Sequence, residues 1–289
     1  MKNVLSIHSS VTVGFVGNNV VGPVLTALDL APLLVPTVML AAHPGYGRRV
    51  GDAVPDHIVG DVLAGLDEMT EIGQIAGVIS GYLGSVEQTD AIATFVDGWR
   101  AASAGSYILD PVLGDRGRLY LPEALAQAMI GTLLPRADII TPNRFELGFL
   151  TGMPVSDRAT AKAAARQLVR THRLQAVIAT GIDDRTGGVG DLLVPRSGDS
   201  LWCAAGSNGK NVAGGGDLLT AILAGQLARG VPLEPAFQAA SRTAQEIIAA
   251  STSPRDLALL ENLGRVAALA DRDQALRPEP DGPPRRSVL

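Results

Sequence analysis

Short, continuous apolar runs alternate along this chain with longer amphipathic runs, and no other feature narrows its possible folds as much. The apolar runs fall at 4–9, 33–40, 77–80, 107–110, 139–141, 176–180 and 191–195. Several are apolar throughout, as strands buried on both faces of a parallel sheet require. Between them, 86–102 sets Ile92, Phe95, Val96 and Trp99 at helical spacing, the stripe of a helix packed on one side. Asp157 stands before an Ala-rich run at 158–171 as a helix N-cap. Two further helices are expected at 217–229 and 233–250, broken by Gly230-Val231-Pro232. This alternation predicts an α/β chain: a three-layer α/β/α sandwich around a central, mostly parallel sheet. A single domain over 1–265 is expected. The tail at 277–289 is rich in Pro and Gly and is expected to be disordered.

Composition excludes several classes. The chain has 289 residues, 46% apolar and 18% charged, enough to build a large core. A net charge of -5, with no basic run beyond Arg48-Arg49 and Arg285-Arg286, argues against nucleic acid as a partner. The longest later apolar stretch, 31–42, contains Pro32 and Pro36 and is too short to cross a bilayer, so no membrane partner is expected. The apolar start is too short for a signal-peptide core. Cys203 is the single cysteine, so an internal disulfide is impossible, and a reducing, cytoplasmic location is expected. It reads as a small, part-buried apolar residue.

In a parallel sheet, ligands bind at the carboxyl ends of the strands. Three segments with chemistry in them fall there or at a helix start. Gly214-Gly215-Gly216-Asp217 opens a helix. Three glycines let backbone N–H groups converge, and the helix start adds its dipole, which makes an anion hole. Asp217, placed as the first helical residue, could take a proton from a hydroxyl. The same residues also read as a flexible turn and an N-cap. Asp110-Pro111-Val112-Leu113-Gly114-Asp115 offers two acids for metal or phosphate binding, or simply a turn. Thr141-Pro142-Asn143-Arg144-Phe145-Glu146 sets Asn143 and Glu146 on one helix face if Pro142 opens the helix, a set suited to hydrated Mg²⁺. It also reads as an ordinary helix start.

The order of these segments is specific. The chain opens Val4-Leu5-Ser6-Ile7-His8-Ser9, then Gly14-Phe15-Val16-Gly17-Asn18. His43-Pro44-Gly45-Tyr46 and Ser80-Gly81-Tyr82-Leu83-Gly84-Ser85 follow, ahead of the three segments above. Over roughly 3–250 the chain resembles the pyridoxal kinase family of the ribokinase-like superfamily. The resemblance implies transfer of the γ-phosphoryl of ATP to the 5′-hydroxyl of pyridoxal or a related B6 vitamer. It implies Asp217 as base, and Gly214, Gly215 and Gly216 as the anion hole. Ser9 would bind the pyridine ring, Val16 and Tyr82 would wall it, and His43 would sit near its substituents. Asp110, Asp115, Thr141, Asn143, Glu146, Thr180 and Gly181 would serve the nucleotide, with Asp110 and Glu146 at Mg²⁺. A monovalent cation such as K⁺ and a homodimer are implied as well. His8 reads as a strand residue, and Gly14 and Gly17 as a turn.

The chain departs from the family in two places. Gly215 stands where the family usually has Thr or Val. Leu40-Ala41-Ala42-His43-Pro44-Gly45-Tyr46 stands where it typically has Phe-Ser-Asn-His-Thr-Gly-Tyr. Polar groups are lost beside the ring site, which affects discrimination between acceptors. Two other readings therefore stand: a kinase for another hydroxymethylated ring such as hydroxymethylpyrimidine, and a non-catalytic binder of vitamin B6. A Rossmann oxidoreductase is disfavoured, since no Gly-x-Gly-x-x-Gly turn follows the first strand, and the Walker A pattern is absent.

Overall fold

The computed structural model describes residues 1–69, 75–206, 212–253 and 255–275, so the tail at 277–289 lies outside the described residues. In chain order the strands are β1 (Asn3–Val13), β2 (Ala31–Ala42), β3 (Gly51–Ala53), β4 (Ile75–Ser80), β5 (Ser106–Leu109), β6 (Gly114–Asp115), β7 (Arg118–Leu119), β8 (Ile139–Ile140), β9 (Ala176–Asp183), β10 (Val189–Pro195) and β11 (Leu201–Gly206). The helices are α1 (Asn18–Ala27), α2 (Asp56–Glu68), α3 (Glu87–Ala102), α4 (Glu123–Ala128), α5 (Arg144–Thr151), α6 (Arg158–His172), α7 (Gly215–Ala228), α8 (Leu233–Ala250) and α9 (Leu259–Ala275).

The main sheet has the order β11-β10-β9-β8-β5-β4-β1-β2-β3. From β9 across to β2 the strands run parallel, while β10, β11 and β3 pair antiparallel at the edges. Alternate side chains of the parallel strands enter two separate cores, because a strand presents successive residues to opposite faces. Leu5, Ile7, Val78, Tyr107, Leu109, Ile140 and Val177 pack with α2, α3, α5 and α6. Val4, Ile79, Ile108, Ile139 and Ile178 pack with α1, α7, α8 and α9. These are the three layers expected from the sequence. The stripe read for α3 is buried in full: Ile92, Phe95, Val96 and Trp99 all face the core. Asp157 caps α6 as expected, accepting from the Thr160 N–H at 2.9 Å.

Some boundaries differ from the sequence reading. Parallel pairing, resumed after a register shift between His8 and Ser10, carries β1 and β2 to Val13 and Ala42, beyond the rest of the sheet. Together with β3 they form an extension with its own small core of Val11, Val38 and Leu40. β9 continues through Gly181 to Asp183, because pairing with β10 resumes after a register shift. The sequence pattern did not reveal α1, which contains the helix breakers Gly22 and Pro23; burial of Val20, Val21, Val24 and Leu25 holds it.

Candidate active site

The glycine segment folds as a helix start. Gly214 is the N-cap of α7 in left-handed backbone, φ 87°. A Cβ there would fall 2.0 Å from the Phe15 carbonyl oxygen, so the position needs glycine. Asp217 is the third residue of α7, not the first as expected, because Gly215 and Gly216 already belong to the helix. The N–H groups of Gly215, Gly216 and Asp217 therefore fill the first turn, where helix geometry gives them no intrahelical partner. The Leu218 N–H already bonds the Gly214 carbonyl at 2.9 Å.

Two partners hold the Asp217 carboxylate. The Gly17 N–H donates to Oδ2 at 2.9 Å, and His8 Nε2 lies 3.0 Å from Oδ1. Burial pushes the Asp217 carboxyl up, but the nearby His8 and the Gly17 N–H outweigh it and hold it below its ordinary range. Asp217 is thus a carboxylate at neutral pH, the form that a proton acceptor requires. For His8, burial acts to lower the pKa; the charge of Asp217, with a lesser part from Asp110, outweighs it and raises the pKa.

The remaining acids gather beside this pair. Asp110 follows β5, is 5% exposed, and takes a hydrogen bond from Thr220 Oγ1 at 3.3 Å. Thr220 Oγ1 also bonds Thr141 Oγ1 at 2.9 Å, and Gly216 stands close enough that a Cβ would lie 4.0 Å from Asp110 Oδ2. Burial, then the charge of Asp217, pushes the Asp110 carboxyl up to about 7. Pro142 does not open α5: Asn143 is its N-cap, and Glu146 completes a capping box. The reason is geometric, since only an extended Asn143 can accept from the Glu146 N–H. Glu146 Oε1 accepts from the Leu113 and Gly114 N–H groups at 3.0 and 3.3 Å, and Oε2 from the Asn143 N–H at 2.8 Å. Burial, then the charge of Asp110, still holds the Glu146 carboxyl well above its ordinary range. Glu146 therefore ties the 110–115 loop to the start of α5.

One consequence is measurable without activity. A carboxyl raised from 3.8 to about 7 binds more protons folded than unfolded, so stability falls as pH rises between those values. Above that window the folded chain carries the whole cost of a buried charge. With divalent metal removed, Asp110→Asn is expected to raise the melting temperature at pH 8 by several degrees, with the gain shrinking towards pH 4. Thermal unfolding of the two proteins across that range checks it.

The residues implied for the ring fall at the extension. Ser9 is buried, with Oγ 3.2 Å from His8 Nδ1. Val16 and Tyr82 both pack against the Val11, Val38 and Leu40 cluster. His43, which its Pro/Gly loop would leave exposed, is 5% exposed. Its Nε2 lies 3.4 Å from Asp256 Oδ1, and its ring packs edge-on against Tyr46. Asp256 also accepts from the Tyr46 hydroxyl. Gly14 and Gly17 do more than turn the chain. A Cβ on Gly14 would strike Asp256 and His43, and one on Gly17 would strike Ser9 and His8.

Among the residues implied for the nucleotide, the Thr180 N–H donates to the Pro142 carbonyl at 2.9 Å, which joins the two segments. Gly181 has φ 62°, and its N–H donates to Asp191 Oδ1 at 3.1 Å. Asp191 is buried and also accepts from Ser241 Oγ at 2.7 Å and Gln245 Nε2 at 3.1 Å. If Gly181 meets the nucleotide, Asp191→Ala frees its backbone and raises the KM for ATP, by about tenfold for one lost hydrogen bond of ~1.4 kcal/mol, with the KM for the alcohol unchanged. Steady-state kinetics in both substrates read the split. Asp115 lines a cavity of about 510 Å³ together with Arg116, Arg144 and Phe145.

Sequence reasoning missed His8, Thr220, Asp191 and Asp256. Thr220 lies one helical turn after Asp217, a usable signal. His8, Asp191 and Asp256 meet their partners across 209, 50 and 213 residues of chain, and no local spacing announces such contacts.

A family model described as phosphomethylpyrimidine kinase matches residues 17–259. A pyridoxine/pyridoxal/pyridoxamine kinase of Bordetella avium is 36% identical over 244 residues, covering 83% of this chain and 82% of that protein. A pyridoxal kinase of Rubrobacter xylanophilus is 33% identical over 254 residues, covering 86% of each. The crystallised pyridoxal kinase of Leishmania donovani, in complex with ADP and pyridoxamine, superposes with a TM-score of 0.85 at 27% identity, over 92% of this chain and 96% of that one. A putative phosphomethylpyrimidine kinase of Bacteroides thetaiotaomicron, crystallised with pyridoxal, gives 0.81 at 25% identity, over 92% and 95%. The sandwich, the glycine-opened α7 and these relatives agree: the chain belongs to the pyridoxal kinase family of the ribokinase-like superfamily.

Proposed function

We propose that this chain phosphorylates the 5′-hydroxyl of pyridoxal and related B6 vitamers with ATP. One observation carries the chemistry: Asp217 is held ionised in the first turn of α7, where helix geometry leaves the backbone N–H groups without intrahelical partners. In-line phosphoryl transfer needs a positioned hydroxyl, an acceptor for its proton and a charge-stabilising cradle. Asp217 takes the hydroxyl proton, and the N–H groups of Gly215, Gly216 and Asp217 hold the moving phosphoryl oxygens. Val16 and Tyr82 flank the ring, with Ser9 and His43 as its polar contacts. Thr141, Asn143, Thr180, Gly181 and Asp115 serve the nucleotide phosphates.

The residues present suit Mg²⁺. Asp110 is a buried oxygen donor with its carboxyl pushed up to about 7, which a hard cation relieves. Glu146, although three of its acceptor positions go to backbone N–H groups, would help Asp110 to hold the ion. Bound there, Mg²⁺ neutralises phosphate charge. A monovalent cation such as K⁺, a cytoplasmic location and a homodimer complete the reading. Exposed Val13, Met39 and Val50 on the β1–β3 extension supply apolar surface for a second copy.

A second reading, phosphorylation of hydroxymethylpyrimidine, is favoured by the family description and by Ala41 and Ala42 beside His43. A panel of alcohol acceptors with ATP, Mg²⁺ and K⁺ separates them. Pyridoxal, pyridoxine and pyridoxamine are expected to turn over with the highest kcat/KM. Turnover of hydroxymethylpyrimidine without pyridoxal would replace the first reading by the second.

A further inference from the structure

His8 is a buried titratable side chain that phosphoryl transfer, as set out above, does not use. It is 2% exposed and lies at the contact of three segments. The Ser9 N–H donates to its Nδ1 at 2.8 Å, which makes Nδ1 the acceptor and leaves the ring proton on Nε2. Nε2 faces Asp217 Oδ1 at 3.0 Å. The N–H direction is off line, so Nε2 makes no formal hydrogen bond despite the short distance, a looseness common in catalytic contacts. Gly81 walls the ring in, since a Cβ there would fall 1.9 Å from Nε2.

His8 Nε2 and the carboxylates of Asp110 and Asp217 lie within 4.8 Å of one another, a spacing open to a metal ion. The tautomer argues otherwise: with Nδ1 occupied by an N–H, Nε2 meets the acids as a donor and not as a ligand. Without His8, one hydrogen bond from Gly17 would have to hold Asp217 against the like charge of Asp110.

We propose that His8 is the positioning residue for the catalytic base, its Nε2–H fixing Asp217 Oδ1 while the Gly17 N–H fixes Oδ2. It acts through Asp217 and does not touch the alcohol. The inference rests on Asp217 being the base.

The test is steady-state kinetics on the full chain with pyridoxal, ATP, Mg²⁺ and K⁺. His8→Leu removes the donor and is expected to lower kcat by about 30- to 100-fold, with both KM values within about threefold, a loss within the range of a mispositioned general base. His8→Gln keeps an N–H donor and is expected to recover at least about tenfold of that loss. On an Asp217→Asn background, His8→Leu is expected to cost nothing further. The proposal is overturned if His8→Leu keeps its kcat, if the loss lies in KM alone, or if Gln is no better than Leu. An active Asp217→Asn would instead overturn the base itself, so the two failures are distinct. Should the variants not fold, ¹⁵N-histidine NMR of the wild type decides: a buried imidazole carrying its proton on Nε2 is expected, and one on Nδ1 overturns the assignment.

Discussion

Asp217→Asn is expected to lower kcat for pyridoxal phosphorylation by about 10²-fold or more, with little change in either KM. The substitution keeps the shape of the side chain and its place in the first turn of α7. It removes the charge that holds the proton acceptor ready, and an amide nitrogen facing His8 or the Gly17 N–H would set donor against donor. Burial alone would favour the protonated form of Asp217, and His8 and Gly17 reverse that. Binding of ADP, followed by calorimetry, should survive, since the proposed anion hole is built from backbone N–H groups. A variant that keeps wild-type kcat would leave the fold assignment intact and remove the base from the mechanism.

Gly17→Ala is expected to cost about 2 kcal/mol or more of stability and most of the activity. Gly17 has φ 54°, and an added Cβ would lie 2.3 Å from the Ser9 carbonyl oxygen, 2.4 Å from Ser9 Oγ and 2.7 Å from His8 Nδ1. Two of those atoms belong to side chains of the site, and the third is backbone, which cannot swing aside. Relief requires the 14–18 turn to move outward, and that withdraws the N–H that holds Asp217 Oδ2. Denaturant unfolding and kcat measured on the same preparation check both parts. An unchanged midpoint would mean that the turn yields without strain. Retained activity would mean that Asp217 does not depend on Gly17.

Both predictions concern contacts that could not be read along the chain, and the contrast with what could be read has a physical basis. The apolar runs around β1, β4, β5, β8 and β9 determined a buried parallel sheet, because strands covered on both faces have no polar face to show. The stripe of α3 and the cap of α6 were legible, since spacing of three and four residues and an N-cap are local properties. Gly214–Asp217 was legible as a glycine-opened helix start for the same reason. Local pattern failed at the helix starts that share a site: Asn143 and not Pro142 begins the turn at α5, and Asp217 is third in α7.

Tertiary structure alone decided which groups meet. His8, set down as a strand residue, reaches Asp217 across 209 residues of chain because β1 lies inside the sheet beside β4 and α7 packs on this part of it. Gly17 looked like a bare turn and proved to be a donor to the same carboxylate. Asp191, an acid at the head of an apolar strand, became the anchor of Gly181 once β10 folded back on β9. Periodicity reports how each element faces its nearest layer, and so the sequence by itself determined the layers and the kind of chemistry at their edge. The electrostatic state of Asp217, Asp110 and Glu146 depends on burial and on partners distant in sequence, so it exists only after the layers have closed.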